Sequence, residues 1–140
     1  MARGDLGVII TRLAALVSKW TLECDRRLDR LYDYIDSHKD VYLESVLSVG
    51  DFEIVEIAAW PDADLAGDVM SSKSTSGRFI ELVGADGRRF AIHWAAHKQG
   101  STSHSTPEAE TVSLADCLRI DGLAIQELFS LMLGRACKTN

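Results

Sequence analysis

The sequence predicts a mixed α+β (α/β) chain: a three-strand antiparallel meander plus a helix, preceded by two helices. Three observations carry this reading. Apolar residues recur at helical spacing twice before residue 38. Strand-like runs then flank a Gly-Ala-Asp-Gly turn. Finally, a Ser-Thr-Pro-Glu cap opens a long apolar run that stops at a glycine.

Ile9, Ile10, Leu13, Leu16, Val17 and Trp20 fall on one helical stripe and predict a helix over roughly residues 8–20. Leu28, Leu31, Tyr32 and Ile35 predict a second, over roughly 24–37. Its other face alternates Arg26, Arg27 and Arg30 with Asp29 and Asp33, the pattern of a solvated face.

From Val41 the period changes. Residues 41–49 are rich in β-branched and aromatic side chains and predict an edge strand closed by Gly50-Asp51. Phe52 to Trp60 predicts the next strand, ended by Pro61, which has no N–H for a ladder. Ser71 to Gly77 reads as a polar loop. Runs 78–83 and 88–94 flank Gly84-Ala-Asp-Gly87 and predict a hairpin. Ser105 or Thr106 caps the following helix, with Pro107 in its first turn and Glu108 completing the pattern. Asp121-Gly122 predicts a break between helices 107–120 and 123–133, and Gly134 a stop. The organisation predicted is a helical segment over 1–50 and a domain over 51–140.

The 140 residues are 46% hydrophobic and 26% charged, values of an ordinary globular chain. The net charge of −6 argues against a free-standing binder of nucleic acid that works through phosphate contacts alone. Cys24, Cys117 and Cys137 form no paired spacing and read as reduced thiols in an intracellular protein. No apolar run reaches the ~20 residues of a membrane span.

Two acidic features could carry chemistry. Asp62 and Asp64 follow a mostly apolar strand, where open sheets place ligands, though aspartate also favours plain solvated turns. Glu110 shares a helical stripe with Leu114, Cys117 and Leu118, so the sequence predicts an inward-facing carboxylate at the head of an apolar face. The competing reading is a carboxylate that only complements the helix dipole. Together, Asp62 and Glu110 could share a hard cation. His38, His93, His97 and His104 show no zinc spacing. Trp20, Trp60 and Trp94 read as core or half-buried anchors.

Three blocks in order resemble a known family. Asp62-Ala-Asp-Leu-Ala-Gly-Asp68 precedes Lys73-Ser-Thr-Ser-Gly77, then come Trp94-Ala-Ala-His-Lys-Gln99 and Ser103-His-Ser-Thr-Pro-Glu-Ala-Glu110. These resemble the motifs of the ribonuclease H domain of copia-type retrotransposon polyproteins. The region from Trp20 to Ile35 resembles the helical segment that follows the polymerase palm there. The resemblance implies an incomplete RNase H-like fold and hydrolysis of the RNA strand of RNA–DNA hybrids with Mg²⁺ or Mn²⁺. It implies Asp62 and Glu110 as catalytic and metal-binding residues, with Asp64 as the alternative ligand. It also implies nucleic-acid contacts from Lys73, Ser74, Thr75, Ser76, Lys98 and Gln99. Leu65 replaces an aromatic residue, and Ala96 and His97 depart from the family's pattern. The family draws a further aspartate from a strand after the helix, and nothing after Leu133 reads as that strand. The expectation is therefore a truncated, impaired nuclease. The alternative is a non-catalytic interaction or structural protein that reuses the fold and self-associates or captures a strand at an unpaired sheet edge.

Overall fold

The computed structural model describes residues 3–67 and 72–140. They fall into two compact units, Met1–Leu43 and Glu44–Asn140. Asp68 and Ser71 of the sequence motifs lie outside the described residues.

The first unit holds α1 (Gly7–Ala14) and α2 (Leu22–Ser37). The first predicted helix is cut short, because a separate 3-10 turn occupies Val17–Lys19. Leu6, Leu13 and Cys24 are its buried apolar side chains. A polar clasp ties its start to α2. Arg3 donates to both oxygens of Asp5 at 2.8 and 2.9 Å, and the Tyr34 hydroxyl donates to Asp5 at 3.1 Å.

The second unit contains β1 (Glu56–Asp64), β2 (Thr75–Val83) and β3 (Arg89–Lys98) in one antiparallel sheet of order β1-β2-β3. It continues with α3 (Thr106–Asp116), a π-helical turn over Cys117–Gly122, and α4 (Leu123–Leu133). The predicted fold class holds: a three-strand antiparallel meander, then helix, after two helices.

Several local expectations are corrected. Residues 41–49 form no strand. Instead Val46 donates its N–H to Arg89 O, and the Ser45 hydroxyl accepts from Ala91 N–H, so a side chain replaces a ladder partner. Asp51 then pulls Val49–Glu53 into a 3-10 turn by accepting from Ser48 N–H and Oγ–H at 2.7 and 2.9 Å. This delays β1 by four residues relative to the sequence reading. At its far end β1 runs through Pro61 to Asp64, pairing Pro61 with Arg78 and Asp62 with Gly77. Proline is tolerated because β1 lies at the edge of the three-strand sheet, where an absent N–H breaks no ladder bond. Thr75–Gly77, expected as loop, belong to β2.

The hairpin forms as predicted, with Gly87 at φ +80°, where a side chain would be strained. The β2–β3 register shifts at Ile80/Glu81, so Ile92 is the extra residue of a bulge, and it packs on the core. The core is Val55, Ile57, Ile80, Leu82, Cys117 and Cys137, flanked by Leu47, Ile125, Phe129 and Leu133. On the face of the sheet bearing Ala58, Glu81 is buried yet satisfied: Trp60 Nε1 donates to it at 2.8 Å and the Arg89 guanidinium pairs with it.

The chain end contributes one more pairing. Ile57 N–H donates to Lys138 O and Ala59 N–H to Asn140 O, both at 2.9 Å, and Asn140 N–H donates to Ile57 O at 2.8 Å. Thr139 thus bridges Ile57 in parallel sense. No strand is legible after Leu133 in the sequence, but Lys138–Asn140 occupy the start of the edge expected to be unpaired. Arg135 fastens this segment, donating to Val55 O at 3.1 Å.

Candidate functional site

The site is built where β1 passes under α3. Ser105 caps α3 by accepting from Glu108 N–H at 3.3 Å, and Glu108 returns a carboxylate oxygen to His104 N–H at 2.7 Å. The cap fixes the start of α3 beside the end of β1. Small residues decide how closely the two approach. Ala109 and Ser113 are buried, one turn apart, and Cys117 continues the row. Ser113 Oγ donates to Asp62 O at 2.6 Å and contacts Gly77 O at 3.3 Å.

This corrects the predicted orientation of α3. The packed stripe is Ala109, Ser113 and Cys117, not the one headed by Glu110. Leu114 is 46% exposed and Leu118 is 38% exposed, and Glu110 itself lies at the surface. Large side chains would hold the helix too far from the sheet for the Ser113 bond, so the small ones turn inward.

Asp62 and Glu110 nevertheless border the same cleft. With Pro61, Pro107, Thr111 and Leu114 they line an open cleft of about 400 Å³. Neither carboxylate is hydrogen-bonded or ion-paired to another described residue. Asp64 does not line this cleft. Its carboxylate lies against Gly67, so closely that a β-carbon there would collide with it. Among the described residues, no group of three or more His, Cys, Asp or Glu side chains converges as a cation site. Two-metal chemistry draws on a larger donor set than the Asp62–Glu110 pair provides. The metal expectation therefore has only these two carboxylates behind it.

The residues expected to touch nucleic acid divide by burial. Ser74, Ser76 and Gln99 are buried. Gln99 Nε2 donates to Ser76 Oγ and to Ala109 O, both at 2.9 Å, while Gln99 Oε1 accepts from Ser103 at 3.0 Å. This closed network joins β2, the end of β3 and the start of α3. Ser74 Oγ accepts from Ala66 N–H at 3.2 Å. Lys73 donates to Gly100 O at 2.6 Å. Lys98 is exposed, and Thr75 pairs with it across the strands.

Sequence reasoning missed a second polar cluster, under the π-helical turn. Arg78 pairs with Asp121 and contacts His97 Nδ1 at 3.0 Å; His97 Nε2 contacts Asp116 at 3.2 Å; His93 lies 3.5 Å from Asp121. The only available signal was Asp121-Gly122. Instead of breaking the helix, that pair widens it by one residue and brings Asp121 over the sheet. Cys117 and Cys137 are buried, and burial pushes both thiols up, as expected of inert structural cysteines.

No known protein family and no solved structure matches the chain. The sequence is similar to secreted RxLR effector protein 161 of Plasmopara viticola. The two are 28% identical over 116 residues, covering 83% of this chain and 75% of that protein. This finding overturns the copia-type reading. The similarity runs to a secreted effector and not to a retrotransposon polyprotein, reverse transcriptase or hydrolase. The expectation of an RNA–DNA hybrid nuclease falls with it. So does the intracellular assignment, because the matched protein is described as secreted.

Proposed function

We propose that this chain is a non-catalytic interaction protein that pairs a further strand at the outer edge of β1. The observation that carries this reading is the half-occupied edge. Lys138–Asn140 pair with Ile57 and Ala59, while no described residue pairs with the outward groups of Pro61 and Ala63. A row of free backbone groups on a twisted sheet is a template for a further strand. The chain is similar to a protein described as a secreted effector, and we extend secretion to this chain on that footing.

The test is titration of a neutral, extended peptide of alternating threonine and valine, followed by fluorescence anisotropy. Binding that is lost in Ala63→Pro, which removes an outward N–H, supports the reading. Equal binding to both proteins, or none to either, overturns it. Incubation with an RNA–DNA hybrid and Mg²⁺ or Mn²⁺ is expected to leave the hybrid intact.

A further inference from the structure

We propose that His93 and His97 form a pH-sensitive latch on the π-helical turn. Neutral, they leave Arg78 free to hold the turn on the sheet; protonated, they release it and uncover Cys117. The latch sits over β2 and β3, away from the outer edge of β1.

The protonation state of His97 follows from its neighbours. Its Nδ1 lies 3.0 Å from a guanidinium nitrogen of Arg78, and its Nε2 lies 3.2 Å from a carboxylate oxygen of Asp116. Arginine has only donors, and an ionised carboxylate only acceptors. Nδ1 must therefore accept and Nε2 must donate, which is the neutral ring with its proton on Nε2. A second proton would go to Nδ1, where it meets the guanidinium. The Arg78 bond is then lost, and two cations face each other in its place.

His93 acts in the same direction. It lies on the same face of β3, four residues before His97. His93 Nε2 is buried without a hydrogen-bond partner and stands 3.5 Å from Asp121, the carboxylate that Arg78 also pairs with. Protonated, His93 competes with Arg78 for Asp121.

The charges around the two rings leave no carboxylate to spare. Those facing them are Arg78 on β2, Asp116 on α3, and Arg119 and Asp121 on the π-helical turn, beside the thiol of Cys117. With neutral histidines, two arginines balance two aspartates. Each added proton is an uncompensated positive charge among side chains largely removed from water. His93 and His97 are 38% and 34% exposed, so water can deliver the proton, whereas Arg78 and Asp121 are only 11% and 16% exposed. The ties from Arg78 to Asp121 and from His97 to Asp116 hold the turn and the end of α3 on the sheet. A π-helical turn is rare and marks a place where a helix can rearrange. Cys117 begins the turn and is buried in the core, so its thiol reports the opening.

The test is a pulse of dithiodipyridine, which labels thiols in mild acid. It is applied to the full chain at about pH 7.5 and about pH 5.5, the interval over which histidine titrates. Peptide mapping by mass spectrometry locates the label, and each rate is referred to that of the urea-unfolded chain at the same pH. On that scale Cys117 is expected to react about tenfold faster at the lower pH, and Cys24 at an unchanged rate. His97→Gln keeps an acceptor for Arg78 and a donor for Asp116 but takes up no proton. Combined with His93→Gln, it is expected to hold Cys117 at the slow rate at both pH values. Equal relative rates at the two pH values in the parent overturn the latch. So does acid-enhanced labelling that survives the double substitution in a chain folded by circular dichroism. The parent alone gives a second check: the His97 ring-proton signal in NMR should move over the same pH interval as the Cys117 rate, and movement over a different interval overturns the latch as well.

Discussion

Ser113 Oγ donates to the main-chain carbonyl of Asp62 at 2.6 Å, a bond between a helix and a strand that lie 51 residues apart in sequence. It sets the spacing between α3 and β1, and so the width of the cleft that Glu110 and Asp62 share.

Ser113→Ala should therefore cost about 1 kcal/mol, the net worth of one hydrogen bond. Ser113→Leu should cost more, about 1–3 kcal/mol, because it overpacks a site with no spare room and lifts α3 from the sheet. Urea unfolding of the two variants checks both values.

The Gln99 network makes a parallel prediction. Gln99→Leu leaves Ser76, Ser103 and Ala109 O short of a partner in the interior, and each unsatisfied group costs about 1–3 kcal/mol. A marked fall in the urea midpoint is expected, with Lys98→Ala as the surface control that stays near the parent. A Gln99 variant as stable as the parent would show that these bonds do not organise the α3 start.

Acid should loosen the first unit. The Arg3 guanidinium beside Asp5 holds its carboxyl down at about 2, from an ordinary 3.8. A depressed carboxylate contributes stability that is complete above the ordinary value and is lost as pH falls through the native one. The clasp of Arg3, Asp5 and Tyr34 should therefore be intact at pH 5 and release between about pH 4 and pH 2. Tyr34 ring shifts in an NMR acid titration report the release, and Asp5→Asn should remove that step. Asp51 behaves in the same direction, because the Ser48 amide holds its carboxyl below the usual range.

Cys117 and Cys137 should resist alkylation. Both are buried, and both thiols are pushed up by that burial. Iodoacetamide at mildly alkaline pH should modify them slowly in the folded chain and quickly in urea. Rapid modification under native conditions would mean that the core around Ile57 opens far more readily than its packing implies.

Much of the architecture was legible from local chemistry. The Gly84–Gly87 turn, the Ser105 cap and the Gly134 stop each depend on a few adjacent residues, and each stands where the sequence placed it. What failed depended on distant partners. Pro61 reads as a strand end until its position at the sheet edge is known. Residues 41–49 have the composition of a strand, but Ser45 and Val46 meet β3 through a hydroxyl and a single N–H. Lys138–Asn140 have no strand pattern and pair only because Ile57 and Ala59 present open groups. Glu110 was expected on the inward stripe of α3 and lies at the surface, since the choice between Glu110 and Ser113 as the inward residue is made by the fit of α3 on the sheet. Gln99 and Ser76 looked like surface polar residues because their partners come from three separate segments.

The central claim is that the outer edge of β1 receives a strand, and the Ala63 amide reports on it most directly. Hydrogen exchange at Ala63 should be fast in the free protein, where no described residue accepts from its N–H. It should slow by at least about tenfold at saturating threonine–valine peptide, while Ile57 and Ala59, already paired with Lys138 and Asn140, change little. Saturation of the protein with unchanged exchange at Ala63 would contradict the account.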